Sequence, residues 1–338
     1  MNLPSLTSGN FKNKKVFVRC DLDVPLKSNK IIDESRLVSS ISTIEYLLVE
    51  GATVIVAGHM GRPEGKDESL SLEIVAKWFA DEFPNASLEE TSLNGFKAWK
   101  IKENFYLLEN LRFFKEEEDN QKSFSERLAG IADYYVNEAF GSSHRDHASI
   151  VGVANILPHF AGFHLEKEIK ILSSILLSPK RPMVVIIGGA KIETKLPLIS
   201  KMHEFADFLL IGGEIASKRE EIKGEGHAKL VIANLENENN DIDEFSLDEF
   251  IRIVKQASCV VWNGPMGNLE KGFSASTLNL AEEILSTTSY KVVGGGDTVG
   301  FLNEKKLADK FDFVSMGGGA MLEFLAGNEL PGLEALMK

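Results

Sequence analysis

The chain has 338 residues, 43% of them hydrophobic, with 37 Lys and Arg against 50 Asp and Glu and a formal net charge of −13. That length predicts two domains, each able to bury a core, and the apolar content excludes a disordered chain. The acidic balance argues against nucleic-acid binding, so an anionic ligand would need a local basic cluster.

Short β-branched runs alternate with helix-period stretches, the pattern of a parallel α/β sheet. The first predicted strand, Val16–Val18, leads into Arg19-Cys20-Asp21-Leu22-Asp23. Arg36 opens a stretch to Val49 with Leu37, Ile41, Ile44 and Leu48 at helical spacing. Predicted strands at Val54–Ala57, Tyr106–Leu108 and Tyr134–Val136 follow. They run into Gly58-His59-Met60-Gly61-Arg62-Pro63, Glu109-Asn110-Leu111-Arg112 and Ala139-Phe140-Gly141-Ser142-Ser143-His144-Arg145-Asp146-His147. In open α/β sheets, ligands sit beyond the carboxyl ends of the strands. One arginine there would read as a surface ion pair or a cap. Several, with histidines, point to an anion site, because a guanidinium fork matches phosphate and carboxylate oxygens in pairs.

An amphipathic helix is predicted over Leu165 to Leu177, followed by the loop Ser178 to Pro182. Beyond it the predicted strands are Val184–Ile187, Phe208–Ile211, Leu230–Ile232, Val260–Trp262, Lys291–Val293 and Phe313–Ser315. Here the strand ends run into glycine: Gly188-Gly189-Ala190-Lys191, Gly212-Gly213, Asn263-Gly264-Pro265, Gly294-Gly295-Gly296-Asp297-Thr298 and Gly317-Gly318-Gly319-Ala320. One such turn is ordinary, but a series suits backbone N–H groups approaching phosphates at helix starts. Lys191 and Lys195 are four apart and share a helix face. Asp297 suits Mg²⁺ beside phosphates. No P-loop, dinucleotide fingerprint or zinc spacing occurs. Glu236 to Glu244 reads as a solvated acidic loop. Cys20 and Cys259 read as buried thiols of a reducing cytoplasm. The apolar runs are strand-length, so no membrane span is expected, and Met1 to Lys15, mixed and polar, suggests no secretory leader. The residues alone thus describe two lobes, one holding a small anion and one a Mg-nucleotide, meeting at a cleft as in a phosphotransferase for an acidic metabolite.

These motifs, in this order, resemble the phosphoglycerate kinase family nearly throughout, beginning with Lys15-Val16-Phe17-Val18-Arg19-Cys20-Asp21-Leu22-Asp23-Val24-Pro25. The resemblance implies two Rossmann-like α/β domains joined by a hinge helix. Residues 1–164 would bind 3-phosphoglycerate, 165–182 would link, and 183–324 would bind nucleotide, with a tail from about 325 to 338 packing back on the first domain. It implies reversible phosphoryl transfer between 1,3-bisphosphoglycerate and ADP, with Mg²⁺, by a cytoplasmic monomer. On the substrate side, Asp21 and Asp23 would hold the glycerate, and His59, Arg62, Arg112 and Arg145 the 3-phosphate. Arg36, Lys191 and Lys195, with the helix starts at Gly296 and Gly319, would surround the transferring group. Gly212, Gly213, Asn263, Glu270, Gly295, Gly296 and Thr298 would line the nucleotide, with Asp297 on Mg²⁺. The sequence departs from the family at Asp23, where the family has Asn, at Glu214, which replaces a glycine, and between about Ala216 and Lys255, where an adenine-side segment is shortened. The alternative is a catalytically impaired relative that binds or regulates.

Overall fold

A computed structural model describes residues 2–190, 192–222 and 226–338; the side chains of 192–194 lie outside that description. The chain divides into two units, residues 1–170 with 329–338, and residues 171–328. The sequence reading put the division at 164 and the returning tail at about 325.

The first unit begins with strand β1 (Lys15–Arg19) and a small hairpin, β2 (Leu26–Lys27) and β3 (Lys30–Ile31). Helix α1 (Ser35–Val49), strand β4 (Thr53–Ala57) and helix α2 (Glu73–Glu82) follow. Next come β5 (Glu89–Leu93), β6 (Phe96–Lys102), β7 (Phe105–Leu108), α3 (Lys115–Glu118), α4 (Lys122–Ala129), β8 (Tyr134–Asn137) and β9 (His159–Ala161). Among the described residues they form a sheet of order β5-β6-β7-β4-β1-β8-β9. Its centre is parallel, and Val16 and Val18 of β1 are fully buried with Val54, Val56 and Val136, which explains the β-branched runs. One edge is antiparallel, β5 on β6 and β6 on β7, a hairpin extension absent from the sequence reading. The register sets Arg19 level with both Ala57 and Asn137, so the loops after β1, β4 and β8 leave one edge together.

Helix α5 (Phe163–Leu177) carries the chain from one unit to the next. Its first backbone N–H groups, on His164 and Leu165, donate to the buried Glu138 carboxylate at 3.1 Å each. The Thr43 hydroxyl donates to the same group at 2.6 Å. Burial pushes the Glu138 carboxyl up to about 7, against the pull of those donors and of His164.

The second unit comprises β10 (Met183–Ile187), α6 (Ile192–Phe205), β11 (Phe208–Ile211), β12 (Lys229–Ile232), β13 (Leu235–Glu236), β14 (Asp241–Ile242) and α7 (Glu244–Val254). It continues with β15 (Cys259–Asn263), α8 (Ala275–Ser286), β16 (Tyr290–Gly294), α9 (Gly296–Glu304), β17 (Phe313–Ser315) and α10 (Gly318–Leu325). The parallel sheet has the order β12-β11-β10-β15-β16-β17. Every residue of β10 is buried, each large aliphatic side chain contributing about 1.5–3 kcal/mol. Ile187 pairs with both Ile211 and Asn263, Asn263 with Gly294 and Gly294 with Ser315, so the turns that follow again leave one edge side by side.

The stretch Glu236 to Glu244 is not a solvated loop. Strands β13 and β14 pair across it, and only the tip at Asn237, Glu238 and Asn239, all at positive φ, has loop character. Asp241 is buried and accepts a hydrogen bond from the Ser276 hydroxyl, Ile242 is in the core, and Asp243 caps α7 by accepting from Ser246 N–H at 2.8 Å. The acidic letters hid anchoring roles. Residues 329–338 form α11 (Pro331–Ala335), which belongs to the first unit; Gly332 N–H donates to the Ser143 carbonyl at 2.9 Å.

Candidate active site

At the edge of the first unit, acidic side chains tie the loops together. Asp21 accepts from Gly141 N–H and from the Ser142 hydroxyl, both at 2.7 Å, joining the β1 loop to the β8 loop. Asp23 accepts from Gly61 N–H at 2.8 Å, joining it to the β4 loop. Arg36, in the first turn of α1, donates to the Asp23 carbonyl and lies 3.8 Å from its carboxylate. Arg112 donates to the Gly61 carbonyl at 2.9 Å and lies 3.5 Å from Glu118. His59 is buried, and its Nδ1 lies 2.9 Å from Nη2 of the fully buried Arg19. Arg62 and Arg145 are exposed.

The charges of this edge act on one another. His59 is held well below the ordinary imidazole value by burial, then by Arg19, Arg112, Arg36 and His147. His147 is held down to about 3 by burial, then by Arg112, Arg19, Arg145 and His144. Two neutral rings in a field of arginines describe a site with an unsatisfied demand for negative charge. The structure brings Asp21, Asp23, Arg36 and Arg112 together through bonds between these loops, His59 through Arg19, and Arg145 through its field. Arg62 directly follows Gly61 at the exposed loop tip. Sequence reasoning missed Arg19 as a buried partner of the site, because a cation at a strand end looks the same whether it faces ligand or core.

The second unit's edge is built on backbone. Gly264, at φ +94°, packs so closely that a methyl group there would lie 2.2 Å from the Gly188 carbonyl oxygen. A methyl on Gly318 would lie 2.3 Å from Gly295 Cα. Those glycines are required by the fold. By contrast, positions for a methyl on Gly296 and Gly319, in the first turns of α9 and α10, have no heavy atom within 4 Å. Lys195 Nζ donates to the Gly188 carbonyl at 2.6 Å, and Asn263 Nδ2 to the Gly318 carbonyl at 3.0 Å. The Thr298 hydroxyl is buried without a hydrogen-bond partner among the described residues. Asp297 is exposed beside it, and Glu270 is exposed on the short turn Leu269–Lys271. Gly212 and Gly213 end β11, with Gly213 at φ +62° before a 3₁₀ turn, Glu214–Lys218. Lys191 lies outside the described residues.

Open helix starts, an orphaned hydroxyl and a free-standing carboxylate suit phosphate groups and one Mg²⁺. Among the described residues no three His, Cys, Asp or Glu side chains cluster as a metal site. A single carboxylate fits Mg²⁺ only where phosphate oxygens and water complete its shell.

Comparison with known proteins agrees with this anatomy. A family profile described as phosphoglycerate kinase matches residues 6–225 and 218–328. A phosphoglycerate kinase of Leptospira biflexa is 36% identical over 391 residues, covering 100% of this chain and 99% of that protein. One of Borreliella burgdorferi is 36% identical over 382 residues, covering 97% of each. The structure of phosphoglycerate kinase from Pyrococcus horikoshii matches with a TM-score of 0.86 at 29% identity, over 99% of this chain and 98% of that one. The enzyme from Coxiella burnetii matches with a TM-score of 0.80 at 30% identity, over 99% of both chains. The Leptospira alignment is longer than the 338 residues here, so that relative has positions without a counterpart, and the profile match breaks in two at 218–225.

Proposed function

This chain belongs to the phosphoglycerate kinase family, and on that premise we propose that it catalyses reversible phosphoryl transfer between 1,3-bisphosphoglycerate and ADP, giving 3-phosphoglycerate and ATP. The observation that carries the reading is the presence, in one chain, of an arginine-rich edge in the first unit and open helix starts beside the orphaned Thr298 hydroxyl in the second. The first set suits a phosphorylated acid, the second the phosphates of a nucleotide.

In this reading Asp21 and Asp23 orient the glycerate, while His59, Arg62, Arg112 and Arg145 hold its 3-phosphate. Gly212, Gly213 and Glu270 serve the nucleoside, and Asn263, Gly295, Gly296 and Thr298 the phosphates. Transfer spreads negative charge over three equatorial oxygens and asks little covalent chemistry of the protein. Arg36, Lys191, Lys195 and the N–H groups opening α9 and α10 at Gly296 and Gly319 are the groups that would face that charge, the type of stabilisation that supplies most of the rate. Mg²⁺, held through Asp297 and the nucleotide phosphates, would neutralise phosphate charge. Binding both substrates in fixed orientation replaces a bimolecular encounter, and excluding water protects the acyl phosphate from hydrolysis.

We place the enzyme in the cytoplasm as a monomer. Both substrate sets come from a single chain, and Cys20 and Cys259 are buried and unpaired, which suits a reducing compartment. No helix among the described residues is long and apolar enough to cross a membrane. A binding protein without turnover loses ground, since it has no use for Arg36, Lys195 and Asp297 together. A coupled assay of ATP formation from 1,3-bisphosphoglycerate and MgADP decides. Turnover abolished by Asp297→Ala supports the reading, and no ATP from the folded wild type refutes it.

A further inference from the structure

Behind His59 runs a buried chain of side chains that the transfer chemistry leaves unused. Arg19, at the end of β1, donates from Nη2 to His59 Nδ1 at 2.9 Å, from Nε to the Ser149 hydroxyl at 2.8 Å and from Nη1 to the Cys20 carbonyl. The Ser149 hydroxyl passes its proton bond on to the buried Glu117, which also accepts Ser149 N–H at 2.9 Å. Ser149 comes from a π-helical segment, Ala148–Gly152, a rare backbone form that recurs at functional sites. A guanidinium can only donate, so Nδ1 accepts and the proton of the neutral ring sits on Nε2. The charged and titratable groups that act on this ring are Arg19 from β1, Arg112 from the turn after β7, Arg36 from α1 and His147 from the loop after β8, and each opposes a positive charge on it.

We propose that Arg19 is a positioning residue of the anion site: its bond to Nδ1 locks His59 in the tautomer that offers Nε2–H to the substrate phosphate, and Ser149 with Glu117 holds the guanidinium in place. The identity of the anion rests on the functional reading above. A locked ring meets a dianion as a donor of fixed direction and takes no proton from solvent. An unlocked ring would bind with proton uptake.

The test is ¹⁵N NMR of the full chain with labelled histidine, recorded without substrate and assigned with His59→Gln. Wild type should show Nδ1 unprotonated and Nε2 protonated from about pH 5.5 to 8. In Arg19→Met the ring should exchange tautomers and titrate at higher pH than in wild type, while burial, Arg112 and Arg36 still hold it below a free imidazole. Calorimetry in buffers of different ionisation enthalpy should then show 3-phosphoglycerate binding at pH 7 taking up as much as about one extra proton, and affinity about tenfold weaker at pH 8. Arg19 also acts on His147, so the same comparison made in a His59→Gln background subtracts the share of His147. Because Arg19→Met strands Glu117 without its counter-charge, Arg19→Met/Glu117→Gln is measured beside it, and Arg19→Lys should restore the lock. A wild-type Nδ1 that is protonated or exchanging overturns the proposal, as does a folded double variant whose ring stays locked. Wild type that fails to bind 3-phosphoglycerate would instead overturn the functional reading, since the spectra judge Arg19 without substrate.

Discussion

Alanine at Gly296 should leave the fold intact and weaken nucleotide binding, whereas alanine at Gly318 should damage the fold itself. The new methyl on Gly318 would stand 2.3 Å from Gly295 Cα and 2.4 Å from Gly295 N, against an ordinary contact of 3.4 Å or more. Both neighbours are backbone, so one glycine turn must move by about 1 Å, and overpacking of this kind costs about 1–3 kcal/mol. A methyl on Gly296 meets nothing within 4 Å, and Gly296 is absent from the positive-φ glycines. Alanine there should stabilise by about 0.4–1 kcal/mol through the unfolded chain. That open space is where a phosphate would approach the first N–H groups of α9, and filling it should weaken MgADP at least about tenfold, or about 1.4 kcal/mol. Urea melts of the two variants and calorimetric titration with MgADP separate the effects. Wild-type MgADP affinity in Gly296→Ala, or a loss of stability there equal to that of Gly318→Ala, would refute the division between glycines the fold needs and glycines the ligand needs.

Arg36→Ala should lower kcat on the order of 10³-fold with little change in KM for 3-phosphoglycerate, because its charge is needed most in transfer; steady-state kinetics showing a raised KM alone would make it a simple binding residue. Asp23→Asn keeps the acceptor for Gly61 N–H and removes a negative charge beside the anion, so 3-phosphoglycerate should bind tighter by roughly 1 kcal/mol in calorimetry, and weaker binding would contradict this. Glu138 titrates at about 7 in the fold against 4.5 ordinarily, so the folded state binds its proton more tightly and its contribution, complete below pH 4.5, is lost as pH rises to about 7. The stability of wild type relative to Glu138→Gln should therefore fall by about 3 kcal/mol between pH 4.5 and 8 in urea titrations, and a pH-independent difference would exclude the assignment. Because the resemblance places an adenine-side segment where the chain is shortened, MgADP and MgGDP should bind weakly and within about tenfold of each other, both depending on Mg²⁺ and Asp297; a hundredfold preference for adenine would show that the pocket is rebuilt.

Every strand read from the sequence lies inside an observed one, because the central strands are buried on both faces and their β-branched runs are unbroken. The missed strands lack that signature. β5 is Glu89-Glu90-Thr91-Ser92-Leu93, an exposed edge, and β9 has only three residues. β6 alternates in burial only in two out-of-phase runs that meet at the adjacent buried Ala98 and Trp99, so its period of two is broken in the sequence. The arginines and glycines of the candidate site were legible because loop chemistry follows strand ends. Their division of labour was not. Gly318 and Gly319 are adjacent and identical in the sequence, yet only the first is hemmed in by backbone. Arg19 is defined by Ser149, 130 positions away, and no local pattern carries that.

The return of residues 329–338 to the first unit has a consequence for biosynthesis. Domains ordinarily complete in order as the chain emerges, the first made being the first folded. Here residues 171–328 are translated whole before the first unit receives its last piece. That piece includes Gly332, whose N–H bonds the Ser143 carbonyl and whose α-carbon leaves no room for a methyl against Ser143, two positions before Arg145. The second unit can therefore mature on the ribosome while the loop bearing Arg145 is still unbraced. A nascent chain halted before Glu329 should resist protease in its second unit and be cut in the first, so that capacity to capture the acidic metabolite arrives late in translation.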